Sequence, residues 1–398
     1  MTPVRDMHGP EFMHYLTGIS NGMTKNFFFA VATLMGTIVG LGMFGIPYTA
    51  SKAGFFVGVI YLIILGGIMV FVHLTIGEIV ERTKEKHRLT GYIEKYLGAR
   101  WKQIIGAIII FAIYAALLAY IIVAGKFLEL IFGDLSNSFT LSLVFWAIIS
   151  PFILRGVKTI GAVELGMSAL LLLLTGVLFT LGIKDVNAEN FSGFNLASFF
   201  LPYGVIIFAM DGGVAVPEMR ELLKLDGKTY KRAIIIGTLI PVFIYFIFMS
   251  LVVGVSGVGT SEEALAGLSS HLGPGVIKIG AIFGLLAIIT SYLTLGSNLK
   301  HTFEYDWRIN KVVAGTLVTA APIALFVLGF QKFIEVISFS GAVFGAIIFI
   351  FTLLVYLRAK KQGDHAPGYA LNVPKLAIWA LIALFALGGV YEIIYLLL

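Results

Sequence analysis

The sequence predicts an all-α membrane protein with eleven transmembrane helices, built as two inverted five-helix repeats plus one extra helix. Three observations predict it. Of the 398 residues, 59% are hydrophobic and 13% charged, and apolar runs of about 18 residues or more, long enough to cross a bilayer, recur along the whole chain. Two of these runs are broken at their centres by glycine and proline, Gly42 to Pro47 and Gly212 to Pro217, at an offset of 170 residues. The offset covers five spans, an odd number, so the second copy enters the membrane from the opposite side. The runs do not alternate polar with apolar residues, which excludes a membrane-spanning barrel.

In chain order, 1–26 is polar and mixed in charge and carries no cleavage site after the first apolar run. It reads as a cytoplasmic N-terminal segment before a retained span, not a signal peptide. The first repeat, 27–183, holds spans at 27–50, 54–80, 102–131, 138–155 and 158–183. The second, 198–358, holds spans at 198–219, 232–257, 273–300, 311–330 and 333–358, and the eleventh helix covers 373–397.

Lysine and arginine set the orientation. With the N-terminus cytoplasmic, 23 of the 28 fall in inside segments, Lys52, Lys184 and Lys332 fall outside, and Lys126 and Lys278 lie within spans. The expected protein is therefore a multi-pass protein of the cell membrane with its N-terminus in the cytoplasm. The formal charge of +6 is the positive-inside signal, not a nucleic-acid surface. Without cysteine there is no disulfide framework and no thiolate ligand. Partners reduce to a small substrate and the lipid bilayer, and the sequence assigns no oligomeric state.

Span one reads GTIVGLGMFGIP from Gly36 to Pro47. Each glycine costs a helix roughly 1 kcal/mol against alanine and an interior proline about 3. In hydrocarbon every backbone N–H and C=O must be paired, so an unwound stretch persists only where it is buried or lines a wet cavity. Unwinding exposes two half-helix ends: free N–H groups with a positive dipole end, suited to a carboxylate, and free carbonyls, suited to an ammonium group or small cation. A zwitterionic amino acid presents both charges together. Span six repeats the break in FAMDGGVAVPEM, Phe208 to Met219. Close helix packing, as Gly36 and Gly40 would allow, is the competing reading; it leaves the two prolines and Asp211 unexplained.

The stretches GTIVGLGMFGIPYTASKAGF, LPYGVIIFAMDGGVAVPEM and GTLIPVFIY, together with eleven spans, resemble the amino acid/auxin permease family, including its bacterial aromatic amino acid permeases. The resemblance covers nearly the whole chain and implies the leucine-transporter fold. It implies a substrate carboxylate at the amides of Leu41 and Gly42, with Gly40 and Gly212 at the breaks, and a substrate amino group near Thr37, Ile38, Phe208 and Asp211. It also implies a cation site. Sodium-coupled members of the wider fold bind a cation between span-one carbonyls and an Ala-x-x-Thr-Ser pattern in span eight, here the carbonyls of Gly36, Val39 and Ala287 and the hydroxyls of Thr290 and Ser291. Some proton-coupled relatives carry a span-five lysine in place of the cation; here Met167 and Ser168 stand in that neighbourhood. Na⁺ is thus the expected coupling ion, H⁺ carried by Asp211 the alternative, and no other cofactor is implied. The same Thr-Ser pair also resembles proton-coupled permeases of this family.

A carboxylate near mid-span costs at least about 2.5 kcal/mol on insertion scales, so Asp211 should have a role. Three compete: partner of the substrate ammonium, proton carrier, or cap on the amides of Gly212 and Gly213. Glu164 is either a second protonatable group or a partner of Arg155 or Lys158. Glu78, Glu129 and Lys126 lie near span ends, where solvated or paired roles are expected. His73 lies deep enough in span two to titrate, but a lone membrane histidine more often makes a helix–helix hydrogen bond. Tyr114 and Tyr120 in span three can face the cavity, Tyr114 being the better candidate. Enzyme classes are excluded: the seven histidines form no HExxH, no phosphate-binding loop follows a strand, and no Ser-His-Asp order stands out. An ion channel is the alternative class, and it lacks a filter or rings of charge.

Overall fold

The computed structural model describes residues 26–133, 136–155, 173–222, 226–305 and 307–397. Its helices, in order, are α1 (Asn26–Ile38), α2 (Gly42–Ala53), α3 (Phe55–Arg82), α4 (Leu89–Leu97), α5 (Ala99–Phe132) and α6 (Ser138–Arg155). Residues 173–182 form α7. Then come α8 (Leu201–Met210), α9 (Ala215–Leu222), α10 (Gly227–Ser256), α11 (Ser269–Leu272), α12 (Pro274–Tyr305) and α13 (Lys311–Val327). The last long segment runs through α14 (Phe333–Phe339), a π-helical turn (Ser340–Gly345) and α15 (Ala346–Gln362), and α16 (Lys375–Leu397) follows.

Among the described residues, seven helices are long and apolar enough to cross a membrane, and α1 with α2 makes an eighth as a pair bent by 55°. The apolar helices α6 and α13 match the expected fourth and ninth spans but are shorter than those seven. The expected fifth span lies largely outside the described residues, and with it Lys158, Glu164, Met167 and Ser168. The N-terminal segment to residue 25 lies outside them as well.

Element boundaries follow local chemistry. Span seven starts at Gly227, five residues before its apolar run, because the Asp226 carboxylate accepts the Lys228 N–H at 2.9 Å. This is an N-cap that lets the basic turn join the helix. The basic segment between spans two and three, expected as a loop, holds the amphipathic helix α4. Its spacing Leu89, Tyr92, Ile93, Tyr96 buries the last three, and it ends at Gly98 with φ +102°, a conformation that favours glycine.

The core stacks α2 on α8, α3 on α10, and α5 between α6 and α12. Helix α8 also packs on the π turn: a Cβ on Gly341 would collide with the backbone of Gly204 and Phe208. The extra helix α16 lies against α15 and is peripheral, with 22% of its apolar window buried against 67% for Phe333–Gln362.

Among the described residues, several segments expected on one side of the membrane are tied to one another. Residues 363–374 form a strap across them. Asp364 N–H donates to Arg82 O (2.7 Å), Tyr369 Oη to Leu74 O (2.8 Å) and Leu371 N–H to Glu78 Oε2 (2.7 Å). The Asp364 carboxylate accepts the Lys84 N–H (2.8 Å) and pairs with Lys95, and these two donors hold its carboxyl below the usual range. Glu81 binds Arg220 at 2.7 Å, and buried Lys300 caps α6 through the carbonyls of Ile153 and Leu154. Elsewhere Lys126 meets Glu262 (3.0 Å) and Glu263 (3.5 Å), and Lys52 reaches Val258 O. Glu78 is paired, as expected, but fully buried, not solvated.

Candidate substrate site

The two interrupted helices meet at their interruptions. Helix α1 stops at Ile38 and α2 starts at Gly42; α8 stops at Met210 and α9 starts at Ala215. A Cβ on Gly42 would stand 2.5 Å from Ala209 Cα, and one on Gly212 would stand 2.5 Å from Ile38 Cγ1. Glycine is what lets each break press on the other. Contact packing therefore does occur here, and it joins the two breaks.

The breaks are not alike. The first is a sharp bend. The second interrupts the hydrogen-bond ladder over Asp211–Val214, but Leu196–Arg220 still runs as one span. The backbone re-forms short turns, with Asp211 N–H reaching Phe208 O (3.4 Å) and Ala215 N–H reaching Gly212 O (3.0 Å). Two of the three amides between, those of Gly212 and Gly213, are taken by side chains. Gly213 N–H donates to Asp211 Oδ1 at 3.2 Å, so Asp211 caps one of the two amides considered from the sequence. The other, Gly212 N–H, donates to His73 Nε2 at 3.3 Å.

The His73 contact fixes its tautomer. Its Nδ1 lies 3.0 Å from Thr238 Oγ1, and the Thr238 hydroxyl proton goes to Ile234 O at 2.8 Å. Thr238 must therefore accept, Nδ1 carries the proton, and Nε2 is left as acceptor for Gly212. His73 and Thr238 are both fully buried. A three-helix relay thus runs from break six through α3 to α10, the helix–helix role expected for a lone membrane histidine.

Accessibility divides the sequence-predicted residues. Ile38, Val39, Leu41, Gly42, Gly212 and Ala287 are buried; Gly36, Thr37, Gly40, Tyr114, Phe208, Thr290 and Ser291 are half-buried; Asp211 is accessible. A Cβ on Gly40 would meet nothing within 4 Å, so this break has open space at its centre. The amides of Met43 and Phe44 turn back to the carbonyls of Gly40 and Leu41 (3.2 and 3.1 Å). Those of Leu41 and Gly42 stand at the helix start, where no intrahelical carbonyl exists for them.

Thr37 Oγ1 donates to Thr33 O at 2.8 Å, and Thr290 Oγ1 to Ala287 O at 2.9 Å. Each hydroxyl keeps its lone pairs for a cationic ligand. Among the described residues no cluster of three His, Asp or Glu side chains forms a metal site; the expected cation set uses carbonyls and hydroxyls instead.

One residue was missed by sequence reasoning. Tyr245 of α10 places its hydroxyl 2.6 Å from Ile38 O and 3.0 Å from Ala209 O, touching both breaks at once. It lies within the motif GTLIPVFIY, one of sixteen tyrosines, and nothing in its spacing marks it.

This arrangement, interrupted helices in contact at their interruptions, is that of a helical membrane protein of the discontinuous-helix type. The fold is shared with MhsT, solved in complex with L-phenylalanine, at a TM-score of 0.61 and 17% identity over 92% of this chain and 97% of that one. Curated relatives include the tryptophan-specific transport protein of Shigella flexneri, 25% identical over 90% of this chain and 92% of that protein. Others are the tyrosine-specific transport system 1 of Haemophilus influenzae (21%, 83% and 88%) and glutamine transporter 2 of Aliivibrio fischeri (21%, 86% and 92%). The tryptophan/tyrosine permease family pattern matches residues 23–393, and the chain belongs to that family. The match supports the aromatic-permease part of the resemblance and not the wider amino acid/auxin name. Relatives are named as transport proteins and permeases, and this chain is a transport protein, not an enzyme.

Proposed function

We propose that this chain is a secondary active importer of a free α-amino acid, working by alternating access around the paired breaks. The observation that carries it is the contact of the two breaks beside the open space at Gly40 and the exposed Asp211. Such a place offers free amide ends to a carboxylate and a carboxylate to an ammonium group. Eleven spans in a 5+5 inverted arrangement plus α16, in the cell membrane with a cytoplasmic N-terminus, belong to the same reading. The substrate carboxylate meets the amides of Leu41 and Gly42; the amino group meets Asp211 and the Thr37 hydroxyl. Aromatic amino acids are the first candidates, since most named relatives carry tryptophan or tyrosine and Phe208 and Tyr114 offer rings to stack on. The glutamine-carrying relative makes a screen of the common amino acids the first experiment. A ligand at 100 times its dissociation constant stabilises by about 2.7 kcal/mol, which a thermal-shift assay reads directly.

Transport is tested in proteoliposomes. Labelled amino acid should accumulate only under an imposed ion gradient, and unsaturable, gradient-independent flux would mean a channel. For coupling, the Na⁺ reading uses the carbonyls of Gly36, Val39 and Ala287 with Thr290 and Ser291. Replacing both hydroxyl residues by alanine should then abolish Na⁺-stimulated binding, while Asp211→Asn only weakens affinity. The H⁺ reading is favoured by the accessibility of Asp211. Under it, Asp211→Asn removes the pH dependence, and replacing Na⁺ by choline changes nothing.

A further inference from the structure

Backbone accounting at the breaks leaves two carbonyls to explain. The last four carbonyls of a helix have no intrahelical donor, and Ile38 O at the end of α1 and Ala209 O near the end of α8 are of this kind. In an unbroken helix Ala209 O would accept from the Gly213 N–H, but that proton goes to Asp211 Oδ1. Ile38 O would accept from Gly42, but Gly42 starts a helix turned by 55°. Both carbonyls are buried, where an unpaired polar group is costly.

One side chain serves both. Tyr245 is 1% exposed, and its Oη stands 2.6 Å from Ile38 O and 3.0 Å from Ala209 O. A phenol has one proton, so the two carbonyls share it in a three-centre bond. Two carbonyl dipoles converging on one positive hydrogen is the arrangement that a monovalent cation or an ammonium group would otherwise make there.

We propose that Tyr245 is a positioning residue of the substrate site: its hydroxyl occupies the point where the carbonyl ends of both breaks converge and holds the breaks in register. This rests on the reading of the breaks as the amino acid site. Two consequences follow. The Ile38 carbonyl, expected from the sequence resemblance beside the substrate amino group, already spends one of its two lone pairs on Tyr245. The stronger acceptors left to the ammonium are Asp211 and the Thr37 hydroxyl. And since Tyr245 belongs to α10, any movement of α10 moves both breaks together.

The test compares Tyr245→Phe, which keeps the ring and removes the donor, with Phe248→Leu. Phe248 lies on the same helix, is equally buried, and packs edge-on to Phe44 at 5.8 Å, so its variant loses packing and no hydrogen bond. Equal amounts of folded protein in liposomes are assayed for uptake of whichever amino acid shifts the wild-type melting temperature. The expected result is a KM about three- to tenfold higher for Tyr245→Phe and a KM unchanged for Phe248→Leu, even where their melting temperatures fall alike. Equal KM values for Tyr245→Phe and wild type overturn the proposal and leave the transporter reading standing. A wild type that neither binds nor moves any amino acid overturns both. Should the phenylalanine variant fail to fold, Tyr245→His brings back a ring N–H. Recovery of folded protein with a near-wild-type KM supports the proposal, and failure of either overturns it.

Discussion

Two glycines two residues apart have opposite surroundings. A Cβ at position 42 meets the backbone of Ala209, and one at position 40 meets nothing. Gly42→Ala must therefore push the breaks apart, at about 1–3 kcal/mol for an overpacked site, while Gly40→Ala should leave the melting temperature alone and change only substrate affinity. Melting in detergent with and without the amino acid separates the two effects. His73→Leu should cost about 1–3 kcal/mol, because it leaves the buried Gly212 N–H and Thr238 hydroxyl without their partner; a melting temperature equal to wild type would contradict the relay. The glycines, the prolines and Asp211 were legible in the sequence because each is costly in a membrane helix and so demands a reason. Tyr245 and the detailed bonding of His73 were not. A buried tyrosine or histidine is an ordinary helix residue until a partner 207 or 139 positions away is placed beside it.

At the level of elements, apolar length gave the spans and missed what happens at their ends and inside them. Helix α4 carries a plain i, i+3, i+4 pattern, passed over because the segment is dominated by its basic residues. The π turn Ser340–Gly345 has no sequence signature beyond its two glycines and two other small residues; such bulges depend on what packs against them. That partner is α8. Gly341→Ala should therefore lower the melting temperature through collision with the α8 backbone, about 1–3 kcal/mol or more. Gly67→Ala, on an open face of α3 with nothing within 4 Å, should raise stability by up to about 1 kcal/mol. The difference between the two shifts, read in the same detergent, checks that the π turn is packed against the broken span.

For the whole molecule, charge alone sorted the connecting segments into two sets, and among the described residues ties join members of the same set, Glu81 to Arg220 in one and Lys52 to Val258 in the other. Which set faces the cytoplasm is a matter of lysine and arginine counts, and the cysteine-free chain makes it easy to test. A cysteine at Lys86 should react with an impermeant thiol reagent only after permeabilisation, and one at exposed Val258 should react in intact cells; the reverse pattern would invert the topology. The strap 363–374 bears on how often the basic-loop end can open. Its bonds from Asp364, Tyr369 and Leu371, with the Lys84 amide on the Asp364 carboxylate, are four of its ties, of about 1 kcal/mol each, beside the Lys95 ion pair and the Gly368 N–H on Glu81. At 1.4 kcal/mol per factor of ten, breaking those four alone lowers the population of a lifted strap about a thousandfold. Under the proposed alternating access, opening at that end requires these ties to break together, so its frequency is set by their number and not by the width of a passage.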